Sequence, residues 1–164
     1  MGTLNLGTGV TLSGSGSALS LTGSLNVSDK VTKPSQPLFH TYGTNYTQAT
    51  GSYSIIVPNT VVNSNGTYSG GQYTAPVAGY YIFGFWGLSY PHNTEVNQIL
   101  GHKNGAGIGQ YVQFNGSATQ HTLASGTLMV YLSASDIFDW RYYRSSGSAA
   151  AYSAQWNMWG YLVG

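Results

Sequence analysis

Charge is what this sequence has least of. Only 5% of its 164 residues are Asp, Glu, Lys or Arg, against about 25% in an ordinary soluble domain. The whole set is Asp29, Lys30, Lys33, Glu95, Lys103, Asp136, Asp139, Arg141 and Arg144, and the net charge is +1. There is no basic field to gather phosphates, which argues against nucleic acid as a partner. Cysteine is absent, so disulfides, thiolate metal sites and cysteine nucleophiles are excluded, and the redox compartment leaves no mark. No run of about 18 apolar residues occurs, so no membrane insertion is expected. The opening Met1-Gly2-Thr3-Leu4-Asn5-Leu6 has neither the basic nor the apolar region of a signal peptide.

Reaction machinery is equally scarce. Gly-x-Ser-x-Gly, Gly-x-Gly-x-x-Gly and P-loop patterns do not occur. Gly105-Ala106-Gly107-Ile108-Gly109 lacks the Lys and the helix of a phosphate loop and reads as a glycine-rich turn. Glycoside hydrolysis needs paired carboxylates. Only Asp136 and Asp139 lie close in sequence, and Arg141 two residues on offers Asp139 a plain ion pair on one strand face. His40, His92, His102 and His121 show no ligand spacing. No catalytic residue, cofactor or metal site is expected, and the protein is not expected to be an enzyme.

What the chain does have is glycine (23 residues), tyrosine (14) and short apolar runs between turn signals. The densest run is Tyr80 to Leu88, entered through Gly66, Gly70-Gly71 and Pro76 to Gly79. Aromatics suit a pleated surface, so this is a strand. Tyr80, Ile82, Trp86 and Leu88 point one way; Tyr81, Phe83 and Phe85 point the other. A sandwich strand needs one apolar face. Apolar residues on both faces call for a second partner, and another copy of the chain supplies it most simply.

Strand candidates fill the rest from Leu38 onward. They are 38–42, 53–57, 60–62, 72–74, 80–88, 96–103, 110–114, 127–132, 137–143 and 155–163, ten in all, with Asn104-Gly105 and Asn115-Gly116 as tight-turn pairs. No helical pattern interrupts them, so the class is all-β, a ten-stranded sandwich. Upstream, Leu4-Asn5-Leu6-Gly7-Thr8-Gly9-Val10-Thr11-Leu12 aligns with Leu19-Ser20-Leu21-Thr22-Gly23-Ser24-Leu25-Asn26-Val27 at an offset of 15 residues. Strands this short make no core alone and imply winding with other chains. A flexible Gly/Ser linker, the other reading, does not explain Leu and Val at a fixed period. Lys33-Pro34-Ser35-Gln36-Pro37 punctuates the chain, and the expected division is a stalk over 1–36 and a head over 37–164.

These residues carry two resemblances. The 15-residue repeat resembles the triple β-spiral shaft of viral fibres. Asn65-Gly66-Thr67-Tyr68, then Gly71-Gln72-Tyr73-Thr74-Ala75-Pro76-Val77-Ala78-Gly79-Tyr80-Tyr81-Ile82-Phe83, resembles the C1q/TNF-like jelly-roll family. Asn104-Gly105, Leu128 to Leu132 with Asp136-Ile137, and Trp159-Gly160-Tyr161-Leu162 resemble that family's later landmarks. The chain departs from the pattern in having no collagen stalk, and in Ser135 where the family has Gly before the aspartate.

The family resemblance implies a homotrimer. Candidate contacts between copies are Tyr81, Phe83, Phe85, Trp159 and Tyr161 in the head, with Leu4, Leu6, Val10, Leu12, Leu19 and Leu21 in the stalk; the other home for the head aromatics is the sandwich core. It also implies that both chain ends lie at the stalk side, leaving loops 90–95, 115–120 and 144–152 at the far end. Candidate receptor-binding residues there are Tyr90, His92, Asn93, Glu95, Asn115, Gln120, Arg144, Ser146 and Tyr152, because Tyr, Ser, Gly and Asn make adaptable contact surfaces. Stalk and head together resemble the distal end of a virion fibre such as a bacteriophage tail fibre. The expected function is host adhesion by receptor binding, to a cell-surface glycan or outer-surface protein. The alternatives are a cap that only registers three chains, and a secreted C1q-like lectin.

Overall fold

In a computed structural model of the chain, the described residues are 36–43, 46–47, 51–64, 67–89, 96–115, 122–145, 151–152 and 155–163. The chain divides into Met1–Lys33 and Pro34–Gly164, and every described residue belongs to the second unit. Leu4, Leu6, Val10, Leu12, Leu19 and Leu21 lie outside the described residues.

The described part is all-β. Its strands in chain order are β1 (Leu38–Gly43), β2 (Tyr46–Thr47), β3 (Ser54–Ile55), β4 (Thr60–Ser64), β5 (Thr67–Ser69), β6 (Gln72–Thr74) and β7 (Gly79–Ser89). Then come β8 (Val96–Lys103), β9 (Ala106–Asn115), β10 (Thr122–Leu132), β11 (Ile137–Arg144), β12 (Ala151–Tyr152) and β13 (Gln155–Leu162). Ten of these are three residues or longer, so the expected number of strands is met, although β5 stands in for the expected 53–57 strand, which shrinks to the two residues of β3.

Two antiparallel sheets form. The first runs β10-β7-β13-β1-β4; the second runs β5-β6-β11-β8-β9, with β3 also on β11. β12 pairs with β2. Long β7 sits between β10 and β13 and pairs along its whole length with β10, from Leu132↔Gly79 to Thr122↔Ser89.

The core lies between the two sheets, and the parity of β7 decides what enters it. Tyr81, Phe83 and Phe85 are buried there. Phe83 stacks on Phe138 of β11 with ring centroids 3.8 Å apart and planes 6° from parallel. Phe85 meets Trp140 edge to face at 4.7 Å. Phe39 of β1 stacks on Tyr73 at 5.0 Å. This corrects the seam assignment for Tyr81, Phe83 and Phe85. Their face of β7 looks at the second sheet, whose own aromatics cover it, and nothing of them remains for another copy.

Turn chemistry closes the base of the sandwich. Asn104 and Gly105 both have positive φ, 51° and 81°, the pair of left-handed residues that a two-residue hairpin turn requires, and Lys103 pairs directly with Ala106. Ser135 takes φ 72°, so the turn keeps the left-handed backbone that glycine adopts freely, with serine bearing the steric cost. Its N–H donates to Ala75 O at 2.8 Å. Because Ser135 is exposed, Ser135→Gly is expected to raise stability by about 0.5–1 kcal/mol. A thermal melt of the variant that is unchanged or lower would contradict this.

Candidate interaction surface

The two faces of β7 part company at the sheet. Tyr80, Ile82, Trp86 and Leu88 look outward, away from the second sheet. Register across the neighbouring strands arranges the outer face in rows. Tyr131 faces Tyr80 at the base; the next row is Met129, Ile82, Tyr161 and Leu38. Above it come Thr127, Gly84, Trp159 and His40, then Ser125, Trp86, Asn157 and Tyr42, then Leu123, Leu88 and Gln155. None of these residues is an Asp, Glu, Lys or Arg.

Much of this face meets water. Met129 is 63% exposed, Leu123 62% and Tyr80 53%. The Tyr80 and Tyr131 rings meet edge to face at 5.3 Å, and Trp159 and Tyr161 stack at 6.0 Å. Trp159 can lie against the sheet because its neighbour is Gly84; a Cβ there would collide with the indole. Of the residues expected at the seam, Trp159 and Tyr161 therefore lie on the outer face, while the three β7 aromatics lie inside. A contiguous apolar face of this kind is uncommon on a solitary soluble domain and marks an interaction surface.

The two ends of the sandwich differ. Gln36 Nε2 donates to Leu162 O at 2.6 Å and Leu162 N–H to Pro37 O at 3.0 Å, so the entry to β1 and the exit of β13 share the base. At the opposite end, the tip, β7 ends at Ser89, β8 begins at Val96, β9 ends at Asn115, β10 begins at Thr122 and β11 ends at Arg144. Ser145 N–H donates to Val96 O at 3.0 Å, and Val96 N–H donates to Ser145 Oγ at 3.0 Å. The segments expected to carry receptor contacts thus leave from the tip.

Of their residues, Tyr90, His92, Asn93, Glu95, Gln120 and Ser146 lie outside the described ones. Asn115 is exposed at the end of β9, and Tyr152 belongs to β12, opposite Tyr46. Arg144 is a correction. It is 1% exposed, because β11 keeps its alternation to the last residue and puts Arg144 on the inward face with Phe138, Trp140 and Tyr142. Tyr142 Oη donates to buried Asn97 Oδ1 beside it at 2.6 Å. Arg144 is not a contact residue for a receptor.

A pocket on the outer face near the tip has no counterpart among the residues expected from the sequence. Its volume is about 280 Å³, and Tyr42, Gly43, Trp86, Gln155, Trp156 and Asn157 line it. Tyr42, Asn157 and Trp86 stand directly opposite one another on three adjacent strands. Trp86 is 40% and Tyr42 50% exposed. His40 Nε2–H donates to Asn157 Oδ1 at 2.8 Å, which fixes the amide between the two rings. The alternation of β7 did put Trp86 opposite Phe85, but only register brings Asn157 and Tyr42 beside it.

The two described carboxylates, Asp136 and Asp139, are committed to structure. Buried Asp139 takes Arg141 Nε–H on Oδ1 at 2.6 Å and Gln72 Nε2 on Oδ2 at 2.9 Å, the expected ion pair with an added amide. Asp136 Oδ1 accepts from Asn104 Nδ2 at 2.8 Å, and Oδ2 accepts from Ser133 N–H at 2.7 Å and from Lys103 Nζ at 2.9 Å. Asn104 chiefly, then Lys103 and the Ser133 amide, hold the Asp136 carboxyl down at about 2. Burial pushes His102 below the usual imidazole range. Among the described residues no group of three or more His, Cys, Asp or Glu is placed to hold a metal ion, and no helix is long and apolar enough to cross a membrane.

No protein-family model matches the chain, and no curated protein matches it by sequence. Solved structures do share its shape. It is similar to the globular domain of zebrafish complement 1qA protein, with a TM-score of 0.63 and 16% identity over 79% of this chain and 98% of that one. It is similar to the PRD1 vertex protein P5, with a TM-score of 0.58 and 12% identity over 78% and 97%. It is also similar to murine APRIL, with a TM-score of 0.52 and 9% identity over 77% and 99%.

The fold is a C1q/TNF-like jelly roll. These identities are low enough that the likeness speaks for the fold alone. On this sandwich, the features that bear on function are the uncharged outer face and the pocket where that face nears the tip.

Proposed function

We propose that this chain is the receptor-binding head of a homotrimeric fibre at a virion surface, of the bacteriophage tail-fibre kind, which adheres to a host-cell glycan or outer-surface protein. The observation that carries the reading is the uncharged, largely apolar outer face of β10-β7-β13-β1, opposite a core that is already complete. Burying a large apolar side chain contributes about 1.5–3 kcal/mol. Several such residues repeated in three copies would hold a closed ring together without charge pairs. Likeness to a viral vertex protein and the 15-residue Leu/Val repeat upstream support the virion setting. The reading is one of binding, supported by the structural partners that both described carboxylates, Asp136 and Asp139, already have.

In this arrangement the three tips point to the host cell. Sedimentation at micromolar concentration is expected to return three times the chain mass, and the purified protein is expected to bind whole host cells. Monomeric mass would overturn the assembly. A trimer that binds no plausible host would leave only a cap that registers three shafts.

A further inference from the structure

The pocket beside the tip has a chemistry of its own. Strands two apart in a sheet lie about 10 Å from each other, so the rings of Trp86 and Tyr42 flank a slot with the Asn157 amide as its floor. Both rings are substantially exposed, as the outward parity of their strand positions dictates. The floor is polar and held in place, because His40 fixes the amide oxygen at 2.8 Å and leaves the NH2 group as the donor for a ligand. Gln155 adds a second amide at the edge. None of the lining residues is charged.

We infer that this slot binds a neutral pyranose of a host-surface glycan, stacked on Trp86 and Tyr42 with a ring hydroxyl accepting from the Asn157 amide. Each feature matches that ligand class. Sugar rings present apolar C–H faces that pack on aromatic faces, and their hydroxyls suit amides. An acidic sugar or a phosphate would ask for a cation, and the residues lining the slot offer none. The volume suits one ring, close to the lower end of about 300 Å³ for small-molecule pockets. The slot lies in the tip-side half of the outer face, beyond the row of Met129 and Tyr161, with Leu123, Leu88 and Gln155 in the row past it. For the slot to stay open, copies must meet over the base-side rows. This inference rests on the adhesion reading and names the ligand class for it.

The test uses the full-length protein and four probes, the methyl glycosides of glucose, galactose, mannose and N-acetylglucosamine, with methyl glucuronide as the acidic control. Saturation-transfer NMR at millimolar ligand is expected to show ring protons of at least one neutral glycoside in contact, and none for the glucuronide. Trp86→Ala and Tyr42→Ala are each expected to weaken binding tenfold or more, and Trp86→Tyr to retain most of it, with sedimentation unchanged in all three. No contact with any neutral probe, preference for the glucuronide, or full binding by Trp86→Ala would overturn the slot. So would a change in mass in Trp86→Ala, which would make Trp86 a seam residue. Host-cell binding by the same preparations separates the two readings. Wild-type and Trp86→Ala protein binding cells equally well removes the slot and keeps the adhesion head, whereas failure of wild-type protein to bind cells removes both.

Discussion

Phe83→Ala is expected to destabilise the head by about 3–5 kcal/mol, the range for emptying a fully buried aromatic site. Phe83 is completely buried, lies on Phe138 at 3.8 Å and meets Tyr73 edge to face at 5.9 Å. The site cannot collapse easily, because Gly160 already lies directly beneath the ring and the strands on both sides of β7 are locked in long ladders. Chemical denaturation followed by tryptophan fluorescence measures the loss. If Phe83 were a seam residue, the variant would instead dissociate with its fold intact, and the denaturation midpoint of the separated chains would barely move.

The complementary change belongs to the other face. Met129→Glu combined with Tyr161→Glu places two carboxylates in one row, on either side of Ile82. Both sites are solvent-exposed in the single chain, at 63% and 40%, so the sandwich itself should be little disturbed. In a closed ring the same substitutions would bury six like charges near one another, each at a cost of several kcal/mol without a partner. The expected result is a folded monomer by sedimentation, with an unchanged far-UV spectrum. A variant that keeps three times the chain mass would show that the outer face is not where copies meet.

Much of the fold was readable from the residues, and the part that was not has an identifiable cause. The alternation along 80–88 separates the two faces of β7 correctly. It cannot say which face is interior, since both are apolar; Phe138 and Trp140, far along the chain, decide that by covering Phe83 and Phe85. β9 and β10 extend further than expected, over Ala106–Asn115 and Thr122–Leu132. Gly107, Ser125 and Gly126 carry no strand signal of their own and are held by the ladders to β8 and β7, whereas Gly109, with φ 79°, falls where the β8–β9 register shifts. Arg144 reads as a loop residue because it opens the small, polar run to Ala151, yet the two-residue period of β11 carries it inward. Tyr42, Asn157 and Trp86 carry no shared signal in the sequence, each on a different strand. Only the pairing register makes them a row, and register is a tertiary property.

Gln36 and Val163 leave the sandwich from the same end, beside each other through the Pro37–Leu162 bonds. A tether joined after Val163 therefore starts from that end, a sandwich length away from the opposite pole. For a surface-immobilised preparation, this makes a carboxy-terminal anchor the favourable orientation. It would display Trp86 and Tyr42 toward the fluid phase and keep the chemistry of the coating away from them.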